Sequence, residues 1–268
     1  MNNNALFGRY WAADSVIHSL DPRTKLIGAL ALVFITFVAN NFLALFLVGA
    51  AILALFELAH IPLAQAFRSI LPLVFIIVLT ALFNLFFVRD GTVYVDLGWI
   101  TISSEGIRMA VFIAIRLSLL LLSGSLLTLT TTTLDITEAF EYLLSPLRKY
   151  NVPAHEFALV MGIALRFLPQ FVDEFRTIRA AQVSRGARLA SSPTKSGLSG
   201  LTSLLVPLFT SAFRHADTLS AAMDARCYHG AENRTRLRQL ELSDHDLIAA
   251  AALTILLAFT VVFSLGGH

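Results

Sequence analysis

Five stretches of this sequence are long and apolar enough to leave water: approximately Leu26–Ala39, Phe42–Ala59, Ile70–Val88, Met109–Thr130 and Leu247–Leu265. A helix crossing about 30 Å of hydrocarbon needs roughly 20 mostly apolar residues. The first stretch is short, and only Asn40-Asn41 divides it from the second, so the two form a tight hairpin or share one broken helix. Any one stretch could be a buried helix of a soluble protein. Five in 268 residues argue against that, because only 14% of the chain is charged and 56% is hydrophobic. An ordinary soluble domain carries about 25% charged residues. The single cysteine, Cys227, excludes an internal disulfide and cysteine-type metal clusters. The N-terminal MNNNALFGRYWAADS lacks the features of a cleaved signal, so the first apolar stretch is expected to remain in the mature chain.

Lys and Arg near span ends are retained in the cytoplasm. Arg9, Arg23 and Lys25 precede the first span, Arg68 lies between the second and third, and thirteen more Lys and Arg fall between Thr131 and Asp246. Between the third and fourth spans, Arg89 and Arg108 are offset by Asp90, Asp96 and Glu105. The partition predicts a cytoplasmic N-terminus and an external C-terminus, ending in Gly266-Gly267-His268. The expected architecture is an all-α membrane protein with about five transmembrane helices. Residues 1–130 hold the first four, 131–246 form a cytoplasmic domain of long amphipathic helices, and 247–268 form the last span. Arg116, about two turns into the fourth span, either snorkels to the outer interface or makes a structural contact with another span or a partner subunit.

The segment from Thr131 to Asp246 is polar but helically periodic. Asp135, with Glu138 three residues on, reads as an N-cap and its reciprocal partner, opening a helix over about Ile136–Leu144. Ser145-Pro146 and Asn151-Val152-Pro153 punctuate the chain. A second helix is predicted from about Ala154 to Arg188. The turn-like SSPTKSGLSG follows, then a third helix from about Leu201 to Tyr228. Ile163, Phe167, Phe171, Phe175 and Ile178 share one face of the second helix, opposite Asp173, Arg176 and Arg179. Leu205, Leu208, Phe209 and Phe213 form a similar stripe on the third. Such helices lie on a membrane, pack together or bind partners. A pattern Pro-x-Phe-x-x-x-Phe-Arg recurs at an offset of 38, from Pro169 and from Pro207. An interior proline tends to kink each rod.

The two helices end on matched motifs: Ala181-Gln182-Val183-Ser184-Arg185-Gly186 and Ala222-Met223-Asp224-Ala225-Arg226-Cys227. Each sets a small residue four before an Arg, on the same face. The small residue admits a close partner backbone, and the guanidinium presents a planar fork to carboxylates or carbonyls. A solvated basic helix end, favoured by the helix dipole, is the alternative for either motif alone.

With these motifs the chain resembles the transmembrane coupling (T) component of energy-coupling factor (ECF) transporters, a family with two Ala-Arg-Gly signatures in cytoplasmic coupling helices. The matching residues are Ser184-Arg185-Gly186 and Ala225-Arg226-Cys227, with Ser in place of Ala in one and Cys in place of Gly in the other. Asp21-Pro22-Arg23-Thr24-Lys25-Leu26 and Leu165-Arg166-Phe167-Leu168-Pro169 are also similar to family stretches. The resemblance runs over nearly the whole chain. It implies a non-catalytic subunit of an ATP-driven importer of vitamins or metal ions. Its partners would be two cytosolic ATP-binding subunits, a membrane-embedded substrate-capture (S) subunit and the lipid bilayer, with no nucleic acid. Ala181, Ser184, Arg185, Gly186, Ala222, Ala225, Arg226 and Cys227 would dock the ATPases. Phe167, Phe171, Phe175, Phe209 and Phe213 would bear on the capture subunit.

Other classes fit less well. There is no G-x-x-x-x-G-K-[ST] loop, so no nucleotide site of that kind and no cofactor is expected. His155-Glu156 begins a zinc-protease string that fails at Leu159, and no metal site is expected. Glu57 is the only carboxylate within a predicted span. The competing readings are the pore-forming permease of an ordinary ABC importer, which docks each ATPase through one short helix, and a membrane scaffold without transport.

Overall fold

The structure, a computed structural model, describes residues 10–11, 13–88, 90–96, 101–144, 154–186, 195–228, 230 and 243–265. The punctuation at 145–146 and 151–153 and the tail 266–268 lie outside them. The chain divides into two compact units: Met1–Tyr142 with Gln239–His268, and Leu143–Arg238.

The first unit is a helical assembly: α1 (Val16–Ser19), α2 (Pro22–Val38), α3 (Phe42–Leu58), α4 (Leu63–Ile70), α5 (Val74–Phe87), α6 (Ser104–Thr130), α7 (Thr133–Leu144, whose last two residues pass into the other unit) and α10 (Asp244–Leu265). Each apolar stretch became a helix because a backbone in lipid must satisfy its own hydrogen bonds. Polar caps moved the boundaries. Asp21 accepts from the Arg23 amide (2.9 Å) and Pro22 occupies the first turn, so α2 starts four residues before Leu26. Asp246 bonds the Ser243 amide (2.8 Å) and hydroxyl (2.9 Å) at its own helix start and the Asp21 amide (3.0 Å), tying the beginnings of α2 and α10 together. The third stretch is longer than expected and broken, with a 3₁₀ turn at Leu71–Leu73 joining α4 to α5. Pro72 lacks the amide a continuous helix needs there.

α3 contributes a fully buried stripe to the core. Ala44, Leu45, Val48, Ile52 and Phe56 recur at helical spacing and are buried against Leu32 and Ile35 of α2 and Leu119, Leu122, Leu126 and Leu129 of α6. Outward-facing side chains are also apolar: Phe46, Phe75 and Phe87 are 71%, 74% and 73% exposed. Such a surface fits hydrocarbon and is foreign to water. Among the described residues, three helices, Leu63–Phe87, Ser104–Thr130 and Asp244–Ser264, are long and apolar enough to cross a membrane, and Phe42–Leu58 is a shorter apolar helix. The chain is an all-α membrane protein.

Two local expectations change. A hairpin precedes α6, with β1 (Val93–Asp96) antiparallel to β2 (Thr101–Ser103) and a register shift between Val93 and Val95. Ser103 then caps α6 by accepting from the Gly106 amide (2.9 Å) while donating to the Val88 carbonyl (2.8 Å). The N-cap of α7 is Thr132, not Asp135. Thr132 Oγ1 accepts from the Asp135 amide (3.2 Å) and donates to its carboxylate (2.7 Å), so Asp135 is the reciprocal partner and the helix begins at Thr133. α7 lies largely in the first unit, which runs to Tyr142. The Arg23 guanidinium sits 3.3 Å from the Tyr142 ring centroid.

The second unit contains α8 (Ala154–Ser184) and α9 (Lys195–Ala225), each of 31 residues. Both end before the predicted Arg188 and Tyr228. α9 starts six residues earlier than predicted, because Lys195–Gly200 is helical rather than part of a turn. Pro169 and Pro207 lie inside the helices, as expected.

Candidate coupling site: two helix ends and their crossing

The two motifs close their helices in one geometry. Gly186 has φ +84 and Cys227 has φ +54, so both chains turn left-handed one residue after the Arg. The Cys227 amide donates to the Asp224 carbonyl (2.9 Å) and the Tyr228 amide to the Met223 carbonyl (3.1 Å), the bond pair of a Schellman cap. The Gly186 amide makes the matching bond to Val183 (2.9 Å). Arg185 and Arg226 therefore occupy the C-cap itself, where the negative end of the helix dipole favours a cation. Ala181, Ser184, Arg185, Gly186, Ala222, Ala225, Arg226 and Cys227 are all exposed.

The helices meet some distance behind these ends. Gln170 Nε2 lies 3.2 Å from His215 Nε2, and the Ser211 hydroxyl donates to Glu174. His215 stacks on Phe167 and meets Phe171 edge-on, both at 5.9 Å between centroids. Residue 170 pairs with 215 and 174 with 211, so the helices run in opposite senses at the crossing. Its midpoints are positions 172 and 213. Arg185 and Arg226 stand equally far along the chain beyond their midpoints (185 − 172 and 226 − 213). At 1.5 Å per helical residue each Arg stands about 20 Å from the crossing, on opposite sides.

One constant shift in residue number relates the two helices: Ala154 to Lys195, Gln170 to Ser211, Glu174 to His215, Ser184 to Ala225 and Arg185 to Arg226. The unit thus has a local two-fold axis through the crossing. The echo from Pro169 to Pro207 has a different register.

The aromatic stripe divides. Phe167 and Phe171 are half-buried around His215, whereas Phe175, Phe209 and Phe213 are 38%, 61% and 68% exposed. Arg116, in the first unit, turns inward. Its Nη2 donates to the Ala39 carbonyl at the end of α2, and its guanidinium lies 4.6 Å from the Phe112 ring centroid. Sequence reasoning passed over Gln170, Glu174, Ser211 and His215. A search for polar residues related by the shift that joins the two Arg motifs would have found them. Among the described residues, no group of three or more His, Cys, Asp or Glu could hold a metal ion.

A family model described as cobalt transport protein (CbiQ) matches residues 13–237. The chain belongs to this family. Among its relatives is the energy-coupling factor transporter transmembrane protein EcfT of Thermosediminibacter oceani, 43% identical over 93% of this chain and 94% of that protein. The protein of the same name from Bacillus subtilis is 37% identical over 96% and 97%. A putative ABC transporter ATP-binding protein of Bifidobacterium longum is 41% identical over 92% of this chain, which covers only 32% of that longer protein. The chain is accordingly a membrane component of the energy-coupling factor transporter kind. Cys227 is the one residue of its motif that turns left-handed.

Proposed function

We propose that this chain couples two cytosolic ATPases to a membrane-embedded capture subunit, in a transporter for vitamins or metal ions. The observation that carries the reading is the pair of exposed, C-capping Arg residues related by a local two-fold axis. A partner pair that is itself two-fold, as two ATPases closing on each other would be, offers one groove to each end. The Bifidobacterium relative, in which a counterpart of this chain occupies about a third of a protein named for ATP binding, supports the pairing with ATPases. In this reading five helices span the membrane, the N-terminus and coupling helices are cytoplasmic, the C-terminus is external, and the exposed Phe175, Phe209 and Phe213 bear on the capture subunit. The chain itself is non-catalytic. A cavity of the first unit, about 520 Å³, is lined by residues such as Gly28, Ala51, Leu55, Ala252 and Leu253, with polar side chains from Thr24, Lys25 and Thr130. That lining suits a polar vitamin or a metal ion poorly, which supports capture by a separate subunit.

The test is reconstitution in proteoliposomes with subunits omitted singly. Uptake is expected to need this chain, two ATPases and a capture subunit. ATP-driven uptake without the capture subunit would show that this chain forms the substrate path, as an ordinary ABC permease does. Arg185→Glu with Arg226→Glu should release the ATPases or uncouple hydrolysis from uptake. Removing one partner of a buried interfacial charge pair costs roughly 2–5 kcal/mol. An intact complex with normal uptake in that double variant would remove the docking role.

A further inference from the structure

We propose that Glu174 and His215 are positioning residues: with Gln170 and Ser211 they form a polar pivot that fixes the angle at which α8 and α9 cross, and hence the separation of Arg185 and Arg226. This rests on the coupling function proposed above.

The composition of the crossing carries the argument. Glu174 and His215 are only 26% and 29% exposed in their side chains, in helices whose neighbouring polar residues, such as Asp173 and Arg176, face solvent. Glu174 Oε1 accepts from Ser211. Glu174 Oε2 is buried, accepts no hydrogen bond, and faces His215 Nε2 at 3.5 Å. A seam meant only to hold two helices together would be apolar, since half-burying a carboxylate and an imidazole is costly unless they pair. Directional polar contacts hold two packed helices in one register, whereas apolar contacts permit sliding and rotation. Phe167 and Phe171 clamp the imidazole from the α8 side, so His215 moves with α8 while belonging to α9.

The rods need such a fastening at this place. Pro169 adjoins Gln170 and Pro207 lies one turn before Ser211, so each helix is interrupted beside the crossing and can bend there. The crossing also acts at the base of two long arms. With arms of about 20 Å, a change of about 10° displaces each Arg by roughly 3 Å, enough to take a guanidinium out of hydrogen-bond reach. Glu174 and His215 occupy equivalent positions about the two-fold axis, so the two halves of the charge-capable pair come from corresponding points on the two arms.

The equivalence supplies the test. Spin labels are placed at the exposed, symmetry-related Ala180→Cys and Ala221→Cys in a Cys227→Ser background. Distances are measured by pulsed dipolar spectroscopy on the full-length chain in lipid nanodiscs, with whatever partners co-purify. The unaltered pivot should give one narrow distance. Glu174→Ala should broaden the distribution or shift its mean by about 3 Å or more, the displacement expected of one arm. His215→Glu, which sets two carboxylates against each other, should do the same. The exchange Glu174→His with His215→Glu re-forms the pair with its members swapped and should restore the narrow distance. The milder Glu174→Gln, which can still accept from Ser211, should lie between. A distribution unchanged in both Glu174→Ala and His215→Glu overturns the proposal. So does failure of the exchange to restore it, which would reduce the two residues to ordinary packing. Should Glu174→Ala fail to fold, Glu174→Gln and the exchange decide alone. A wild-type chain that carries no ATPases overturns the coupling function instead, and leaves the distance test in force.

Discussion

Replacing Cys227 by Gly should tighten the end of α9. Cys227 turns left-handed at φ +54, where the Cβ of an L-residue crowds the backbone at a cost of roughly 1–2 kcal/mol. Glycine removes the crowding but has more conformational freedom to lose when ordered, which returns roughly 0.5–1 kcal/mol. The net gain is on the order of 0.5–1 kcal/mol, a factor of about two to five in a local opening equilibrium. The amide that reports it is that of Tyr228, which donates to Met223 only while the cap is closed. Hydrogen exchange read by mass spectrometry over the peptide containing Tyr228 should slow by that factor in Cys227→Gly. The mirror experiment is Gly186→Ala. A Cβ there would meet nothing within 4 Å, so the only cost is backbone strain at φ +84, and the Gly186 amide bond to Val183 should open faster by a similar factor. Exchange at Tyr228 that is equal in Cys227→Gly and wild type would refute the strain argument.

Three further outcomes are expected. Gly106→Ala places a Cβ 3.0 Å from the Leu85 carbonyl oxygen and 3.1 Å from that of Val88, neither of which can swing aside as a side chain would; it should destabilise the start of α6 by about 1–3 kcal/mol, seen as a lower melting temperature in detergent. Arg116→Leu strips the Ala39 carbonyl of its donor and should cost about 1–3 kcal/mol in the same assay, with Arg116→Lys recovering part of it. His18 is held below its ordinary 6.5 by burial, against the opposing pull of the Trp11 carbonyl. Its Nε2 lies 2.9 Å from that carbonyl oxygen, so the neutral ring carries its proton there and accepts from Ser15 at Nδ1. The Trp11 amide donates to the Leu129 carbonyl (2.9 Å), which docks the segment around His18 onto the end of α6, and once detached that segment takes up a proton before the docked one does. Docking is therefore fully stable above about pH 6.5 and weakens as pH falls through that value. Hydrogen exchange across Tyr10–Ser19, normalised for intrinsic rates, should accelerate between about pH 7.5 and about pH 5.5, and His18→Gln should abolish the difference.

The helices of the first unit were legible because hydropathy alone forces them. A run such as Phe42–Leu58 has one stable conformation in lipid. Their ends were less legible, because polar capping decides them. Asp21-Pro22 and Ser243 with Asp246 set the starts of α2 and α10 outside the apolar runs. The error at α7 has the same origin: Thr132 and Asp135 compete for one cap, and only the hydrogen bonds settle which of them holds it. The hairpin at Val93–Asp96 and Thr101–Ser103 is short and its pairing irregular, so it left no sustained alternation to detect.

At the candidate coupling site the Arg motifs were visible as chemistry while the symmetry relating them was not, and the reason is physical. Prolines and phenylalanines stand out in a sequence and repeat in their own register, but a kink or an apolar stripe tolerates displacement by a turn. A tip that docks, as proposed for Arg185 and Arg226, does not, because its position is the sum of every residue between it and the crossing. The relation that survives in the structure is the one measured from contact to tip. The interval from Gln170 to Arg185 equals that from Ser211 to Arg226, and the interval from Glu174 to Arg185 equals that from His215 to Arg226. Deleting one residue between Glu174 and Arg185 would turn that tip by about 100° and draw it in by about 1.5 Å, leaving α9 unaltered. Such a deletion should loosen one ATPase and spare the other. Its counterpart between His215 and Arg226 should do the converse, and subunit stoichiometry after co-purification would read both. Loss of both ATPases together from either deletion would mean that the two arms dock as one body rather than as two independent levers.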